Sequence, residues 1–285
     1  MMAIRPRGES ASSPEMRNVG QCGRHNPQPT QVLRSSSIDT TSEYSVYSSR
    51  MVFDHLVAVE HMAEAIRSRA EAEPSLEIPD CPGWNARRLL GHMGSVYAMM
   101  SNIVDTRASA FGPPRPDQKA PTEGPLSEWF AARLDEVLIA LRDRPITDPQ
   151  WSWTADHTVG FYHRRLAFES AVHLADVQRA RGEMVAIDRA LAVAGIDEFF
   201  QLMLPASSKP KPNGSLHLHC TDGDGEWLVR NVDDTIVTTH EHLKGDAAWR
   251  GPASALFLYA WGRRSDSVEV IGDQTVSTSW AAAAP

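Results

Sequence analysis

The chain has 285 residues, a formal net charge of −8 at pH 7 and 42% hydrophobic residues. That is enough apolar material for one large domain or two modest ones, and the acidic balance argues against a nucleic-acid binder, whose phosphate contacts need a basic face. Three widely spaced cysteines, Cys22, Cys81 and Cys220, suit neither a disulfide framework nor a CxxC metal site, and no apolar run approaches the ~20 residues of a membrane span. A cytoplasmic location is expected, with a monomer or homodimer and no membrane or nucleic-acid partner.

Residues 1–50 are rich in Ser, Pro, Asn and Arg, lack apolar periodicity and read as a disordered tail. Arg5 and Arg7 precede no apolar stretch of the kind a signal peptide needs. Met51 stands directly before the first periodic segment, where an alternative start would fall.

From Val52 to about Ala72, Phe53, Leu56, Val57, Met62, Ala63 and Ile66 recur at helical spacing. After a connector, Asn85 is a good N-cap for a helix from Ala86 to about Val104, with Leu89, His92, Met93, Val96 and Met100 on one face and Arg88 at its edge. A Pro/Gly-rich loop follows, then a third helix expected to be capped by Ser127, with Leu134, Val137, Leu138 and Leu141 inward. A loop holding Trp151 and Trp153 leads to a long helix, Gly160 to Arg181. Four such helices predict a four-helix bundle over 51–182.

The second half, 183–275, reads as a smaller α+β domain. Ile187 to Leu204 is helical, and a Lys/Pro-rich hinge follows. Ser215–Cys220, Glu226–Arg230 and Thr235–Thr239 read as strands, Pro252–Trp261 as a helix and Val268–Ile271 as a last short strand. The Ala-rich end, 276–285, is expected to fray.

The fourth helix carries the chemistry. Tyr162, Leu166, Glu169, His173 and Val177 form one stripe, because positions four apart lie on one helix face. Asp176 lies at its edge, and Arg164, Arg165, Arg179 and Arg181 fall mostly off it. A carboxylate and an imidazole among apolar residues need a partner if buried. With His92 they form a His2Glu set, which suits Zn²⁺ or a similar borderline metal and leaves a coordination position open. Asp176 would then bind substrate or orient a ligand. Plainer readings stand beside this one: a satisfied core histidine at 92, and an ordinary i,i+4 pair at 169 and 173.

Elsewhere, Cys81 reads as a small packed residue. His217 and His219 share a strand face opposite Leu216 and Leu218, with His240 and His242 nearby; the expectation there is a solvated polar face rather than a second metal site.

The segments IPDCPGWNARRLLGHMGSVYAMM and WSWTADHTVGFYHRRLAFESAVHLADVQRA resemble the mycothiol-dependent maleylpyruvate isomerase family. GSLHLHCTDGDGEWLVR and WRGPASALFLYAWGRR look like that family's C-terminal domain, so the likeness spans about Val52 to Asp273. It implies a DinB-like metal-binding bundle followed by an α+β domain. It implies metal ligands at His92, Glu169 and His173, a nearby aspartate at Asp176, and a C-terminal arginine at Arg263, with Arg264 beside it. Phe168 departs from the pattern, since many members have His directly before the metal glutamate; a different pocket surface is expected.

The resemblance further implies mycothiol as the thiol cosubstrate of a small electrophile. Its thiolate would add to a cis-alkene beside a carbonyl, the bond would rotate, and elimination would follow; Arg263 would hold a substrate carboxylate. The expected activity is a metal- and mycothiol-dependent isomerase or thiol transferase. A metal-dependent hydrolase and a non-catalytic metal- or small-ligand-binding protein are the alternatives.

Overall fold

The computed structural model describes residues 54–113, 115 and 118–284, so the expected tail lies outside the described residues. Among the described residues, four helices make the first half. Helix α1 (His55–Ala72) opens on Asp54, whose Oδ1 accepts from the backbone N–H of Leu56 at 3.0 Å and of Val57 at 3.2 Å. Helix α2 (Ala86–Asp105) opens on Asn85, whose Oδ1 accepts from the N–H of Arg88 at 2.9 Å. In each case a side-chain oxygen satisfies N–H groups that the first turn leaves without a helical partner.

Helix α3 (Ser127–Arg142) departs from expectation. Ser127 is its first helical residue, and Leu126 at the cap position offers no side-chain bond. Burial of Phe130, Val137, Leu138 and Leu141 holds α3 instead. Helix α4 (Val159–Ala180) is capped by Thr158, whose Oγ1 accepts from the N–H of Phe161 at 3.2 Å.

Helix α1 runs along α4, and α2 along α3. A Cβ at Gly94 of α2 would lie 2.3 Å from the Trp129 ring of α3, so only glycine lets that indole seat against the α2 backbone.

The second half is mixed α and β. Helix α5 (Arg189–Glu198) continues through a π-helical stretch, Phe199–Met203, into the short α6 (Leu204–Ala206). A five-stranded sheet follows: β1 (Ser215–Cys220), β2 (Glu226–Val232), β3 (Thr235–Thr239), β4 (Ala247–Gly251) and β5 (Glu269–Gly272), in the order β3-β2-β1-β4-β5. Only the β1–β4 pair is parallel. Helix α7 (Ala253–Ala260) packs against α5, where a Cβ at Gly195 would meet the Phe257 ring at 2.4 Å. The chain is thus of mixed α+β class, with an N-terminal helical bundle consistent with a DinB-like fold.

Two features were not expected. Strand β4 reads AAWRG, poor in β-branched residues, and exists because β1 and β5 pair with it on either side. Residues 274–281, expected to fray from 276 on, form a helix: α8 (Gln274–Ala281) is capped by Asp273 and drives Trp280, fully buried, against Phe200. Burial of that indole holds a helix that its Thr- and Ser-rich sequence would not.

Candidate metal centre

His92 enters from α2, and Glu169 and His173 from α4. The stripe expected on α4, Tyr162, Leu166, Glu169, His173 and Val177, lies in the interior, as does most of the helix from Val159 to Val177. Nε2 of His92 and Nε2 of His173 each stand 3.3 Å from Oε1 of Glu169, and the three donor atoms lie within 4.8 Å of one another. Ligand atoms held about 2.0–2.1 Å from a tetrahedral ion stand about 3.3–3.4 Å apart, which is the separation of each imidazole nitrogen from the Glu169 oxygen.

The hydrogen-bonding pattern is compatible with a cation at this place. Nδ1 of His173 lies 2.9 Å from Oδ2 of Asp176 and donates to it. In the neutral imidazole Nε2 is then a lone-pair acceptor facing the ionised Glu169 oxygen, another acceptor. A proton on Nε2 or a cation among the donors resolves that clash. Burial favours neutral His173, but Asp176 and Glu169 outweigh it and raise its pKa, which is the proton solution. A divalent cation is the other, and the donor set suits one.

Asp176 is itself gripped. Arg263 donates from Nε to Oδ1 at 3.0 Å and from Nη2 to Oδ2 at 2.7 Å. Burial alone would raise the Asp176 pKa; Arg263 and His173 more than reverse that and hold it at about 2. Arg263 also donates from Nη1 to the Trp261 carbonyl at 2.8 Å. Arg264 turns away, donating to the Tyr259 hydroxyl at 2.6 Å, so of the two arginines Arg263 faces the centre. The Cys81 sulfur lies 3.5 Å from Asp176 Oδ2 and 3.7 Å from Arg263 Nη2.

One participant escaped the sequence reading. Arg165, placed off the functional stripe, is 2% exposed and joins two acids. Its Nη2 donates to Glu169 Oε2 and its Nη1 to Glu198 Oε1, both at 2.8 Å, while its guanidinium lies 4.5 Å from the centre of the Trp261 ring. The two oxygens of Glu169 are thereby divided, one for the histidines and one for Arg165. Burial pushes the Glu169 pKa up, but His173, His92 and Arg165 together hold it well below the usual carboxylate range. Burial raises the Glu198 pKa despite Arg165. The signal was present as an i,i+4 Arg–Glu spacing on α4.

Trp84 borders the open side. Its ring lies nearly parallel to His173, 6.3 Å between centres at 11°, and edge-on to His92 at 5.0 Å. The Arg88 guanidinium lies over the indole, 5.0 Å from its ring centre. A groove of about 350 Å³ on the adjoining turn is lined by Ile78, Pro82, Gly83, Trp84 and Asn85, and shares only Trp84 with the centre. Phe168, expected to alter the pocket surface, is fully buried and packs edge-on against His55 and Phe257, so its bulk goes to the core.

A helical bundle with two imidazoles and a carboxylate converging inside it, backed by an arginine from an α+β unit, defines the class of protein. Residues 55–178 match the mycothiol maleylpyruvate isomerase N-terminal domain family, and residues 190–284 match the MDMPI C-terminal domain family. The chain therefore belongs to the mycothiol-dependent maleylpyruvate isomerase family. Two solved structures share its fold: a mycothiol-dependent maleylpyruvate isomerase at 13% identity and a His-to-Ala mutant of that enzyme at 14%. Each has a TM-score of 0.54, with 79% of this chain and 94% of the other covered. No curated protein matches the chain. No helix among the described residues is long and apolar enough to cross a membrane.

Proposed function

We propose that this protein is a metal-dependent, mycothiol-dependent isomerase or thiol transferase acting on a small electrophile. The observation that supports the reading is the convergence of His92, Glu169 and His173, whose donor atoms lie within 4.8 Å of one another, with His173 backed by Asp176. Family membership supports mycothiol as the thiol. A divalent metal, in this reading Zn²⁺, would supply a Lewis-acidic position at which an incoming thiol is held as thiolate.

The protein's own residues do the rest. Asp176 fixes the tautomer and ring orientation of His173 and raises its basicity as a donor, the role a carboxylate takes behind a ligating histidine. Arg263 holds Asp176 ionised and in place. Because its guanidinium is engaged there, Arg263 acts through Asp176 as a positioning residue; in this reading the exposed Arg88, over the Trp84 ring, takes the substrate carboxylate instead. Arg165 fixes the rotation of the Glu169 carboxylate. The groove beside Trp84 offers room for the bulk of the thiol.

The test is elemental analysis of the purified protein beside His92→Ala and Glu169→Ala, with thiol-consumption and isomerisation assays using mycothiol and maleyl-type electrophiles. Metal lost from both variants, with turnover that requires mycothiol, is expected. Unchanged metal content would remove the site, and turnover without any thiol would make the protein a hydrolase.

A further inference from the structure

The outer face of the sheet carries a second convergence of ligand-type side chains. His217 and His219 project from β1 on the face opposite Leu216 and Leu218, as their alternation requires. Glu226 opens β2 directly across from His219. The segment 240–246 leaves β3 at one edge of the sheet and must pass β2 and β1 to enter β4. His242 lies on that crossing segment and comes down onto the same carboxylate.

The distances are short. Nε2 of His217 lies 2.6 Å from Oε2 of Glu226, and Nδ1 of His242 lies 3.0 Å from Oε1. Nδ1 of His219 also reaches Oε1. One donor atom from each of His217, Glu226 and His242 falls within a 4.8 Å cluster. The three imidazole rings stand around one another with centres 5.1–6.3 Å apart. The face is polar and partly solvated, as expected. Here one carboxylate gathers three imidazoles from two separate segments.

We infer that His217, Glu226 and His242 form a second divalent-metal site, with His219 beside it, whose ion ties the 240–246 crossing segment to β1 and β2. Imidazole nitrogens with one carboxylate oxygen suit Zn²⁺, Ni²⁺ or Cu²⁺ rather than Mg²⁺ or Ca²⁺, which take oxygen ligands. The site is open to ions from solution: the His242 side chain is 74% exposed, whereas that of His217 is 12% exposed and anchors the site to the sheet. Arg250 stands across from His219 on β4 and is drawn off by Glu269 at 3.3 Å. Binding puts the cation in place of the imidazole–Glu226 hydrogen bonds; each displaced proton goes to the ring's other nitrogen or to solvent, with no change of oxidation state. The role is structural, since the crossing segment has no helix or strand of its own to hold it.

Calorimetric titration of the metal-stripped full-length chain with Zn²⁺ tests this, read beside hydrogen exchange of the 240–246 amides. Two saturable equivalents are expected in the unaltered chain and one in His242→Ala, with zinc slowing exchange of 240–246 in the first only. His92→Ala should retain the zinc-dependent protection, which separates the two sites. His242 is exposed enough for its truncation to leave the fold intact, and His217→Ala serves as the second variant. The inference is overturned if His242→Ala takes up as much zinc as the unaltered chain, if uptake at this face does not saturate, or if exchange of 240–246 ignores zinc. The cluster is then a hydrogen-bonded carboxylate only.

Discussion

Arg263 closes on Asp176 with two nitrogens, Nε to Oδ1 and Nη2 to Oδ2, across 87 positions of sequence. The pair joins the α+β half to the bundle directly behind His173. It makes the C-terminal half part of the candidate centre, because the orientation of His173 depends on an aspartate that the other half holds.

Asp176→Asn should therefore weaken metal binding while leaving all three ligands in place. An amide oxygen still accepts from His173, but the charge facing Arg263 is gone. Loss of such a partner behind a ligand costs about 10–100-fold in metal affinity. Competition against a chelator of known affinity measures it, and an unchanged affinity would show that Asp176 does not act through His173.

Arg165→Met should destabilise the fold as well as the centre. It strips the cation from between Glu169 and Glu198, two buried acids. Removing one partner of a buried ion network costs about 3–5 kcal/mol, because the charge left behind is uncompensated. Denaturant unfolding of the metal-free protein reads that loss without any contribution from metal. A loss near zero would mean that Glu169 and Glu198 are neutral in the variant.

Arg88→Ala should act on substrate alone. A charge-assisted bond to a carboxylate is worth about 1.5–3 kcal/mol, so KM for a carboxylate-bearing electrophile should rise about tenfold or more, with metal content and kcat little changed. An uncharged electrophile should show no such rise.

Stability should fall as the pH drops from about 6.5 towards 4. Burial, with Arg164 and His163 adding to it, lowers the His55 pKa from 6.5 to about 4. Over that window the unfolded chain binds a proton at His55 and the folded chain does not, so acid favours unfolding. At about 1.4 kcal/mol per pKa unit and with partial solvent exposure, the loss is on the order of 1–3 kcal/mol. His55→Phe should flatten that part of the stability-versus-pH curve; an unchanged slope would assign it to other groups.

Trp280→Ala tests the unexpected C-terminal helix. The indole is fully buried against Phe200, and such a truncation costs about 3–5 kcal/mol. A fraying terminus would lose nothing measurable in thermal unfolding.

Much of this molecule was legible from residue order alone, because local rules govern those parts. The α4 stripe follows from helix geometry, the Asn85 cap from its side-chain oxygen, and β1 and β3 from alternation and β-branched residues. The pairing of His92 with Glu169 and His173 stood open on spacing alone, beside plainer readings, and was implied by the family resemblance. Tertiary structure alone decided the remainder. AAWRG becomes a strand only between two neighbours, and 274–281 becomes a helix only because Trp280 finds a core. Arg165 turns inward only because Glu198, from another helix, waits there with Glu169. His242 reaches Glu226 only because the order of strands forces its segment across the sheet. Local energies act over a few residues and are written in their sequence; burial and charge pairing act between segments far apart in the chain, and only the folded arrangement says which segments meet.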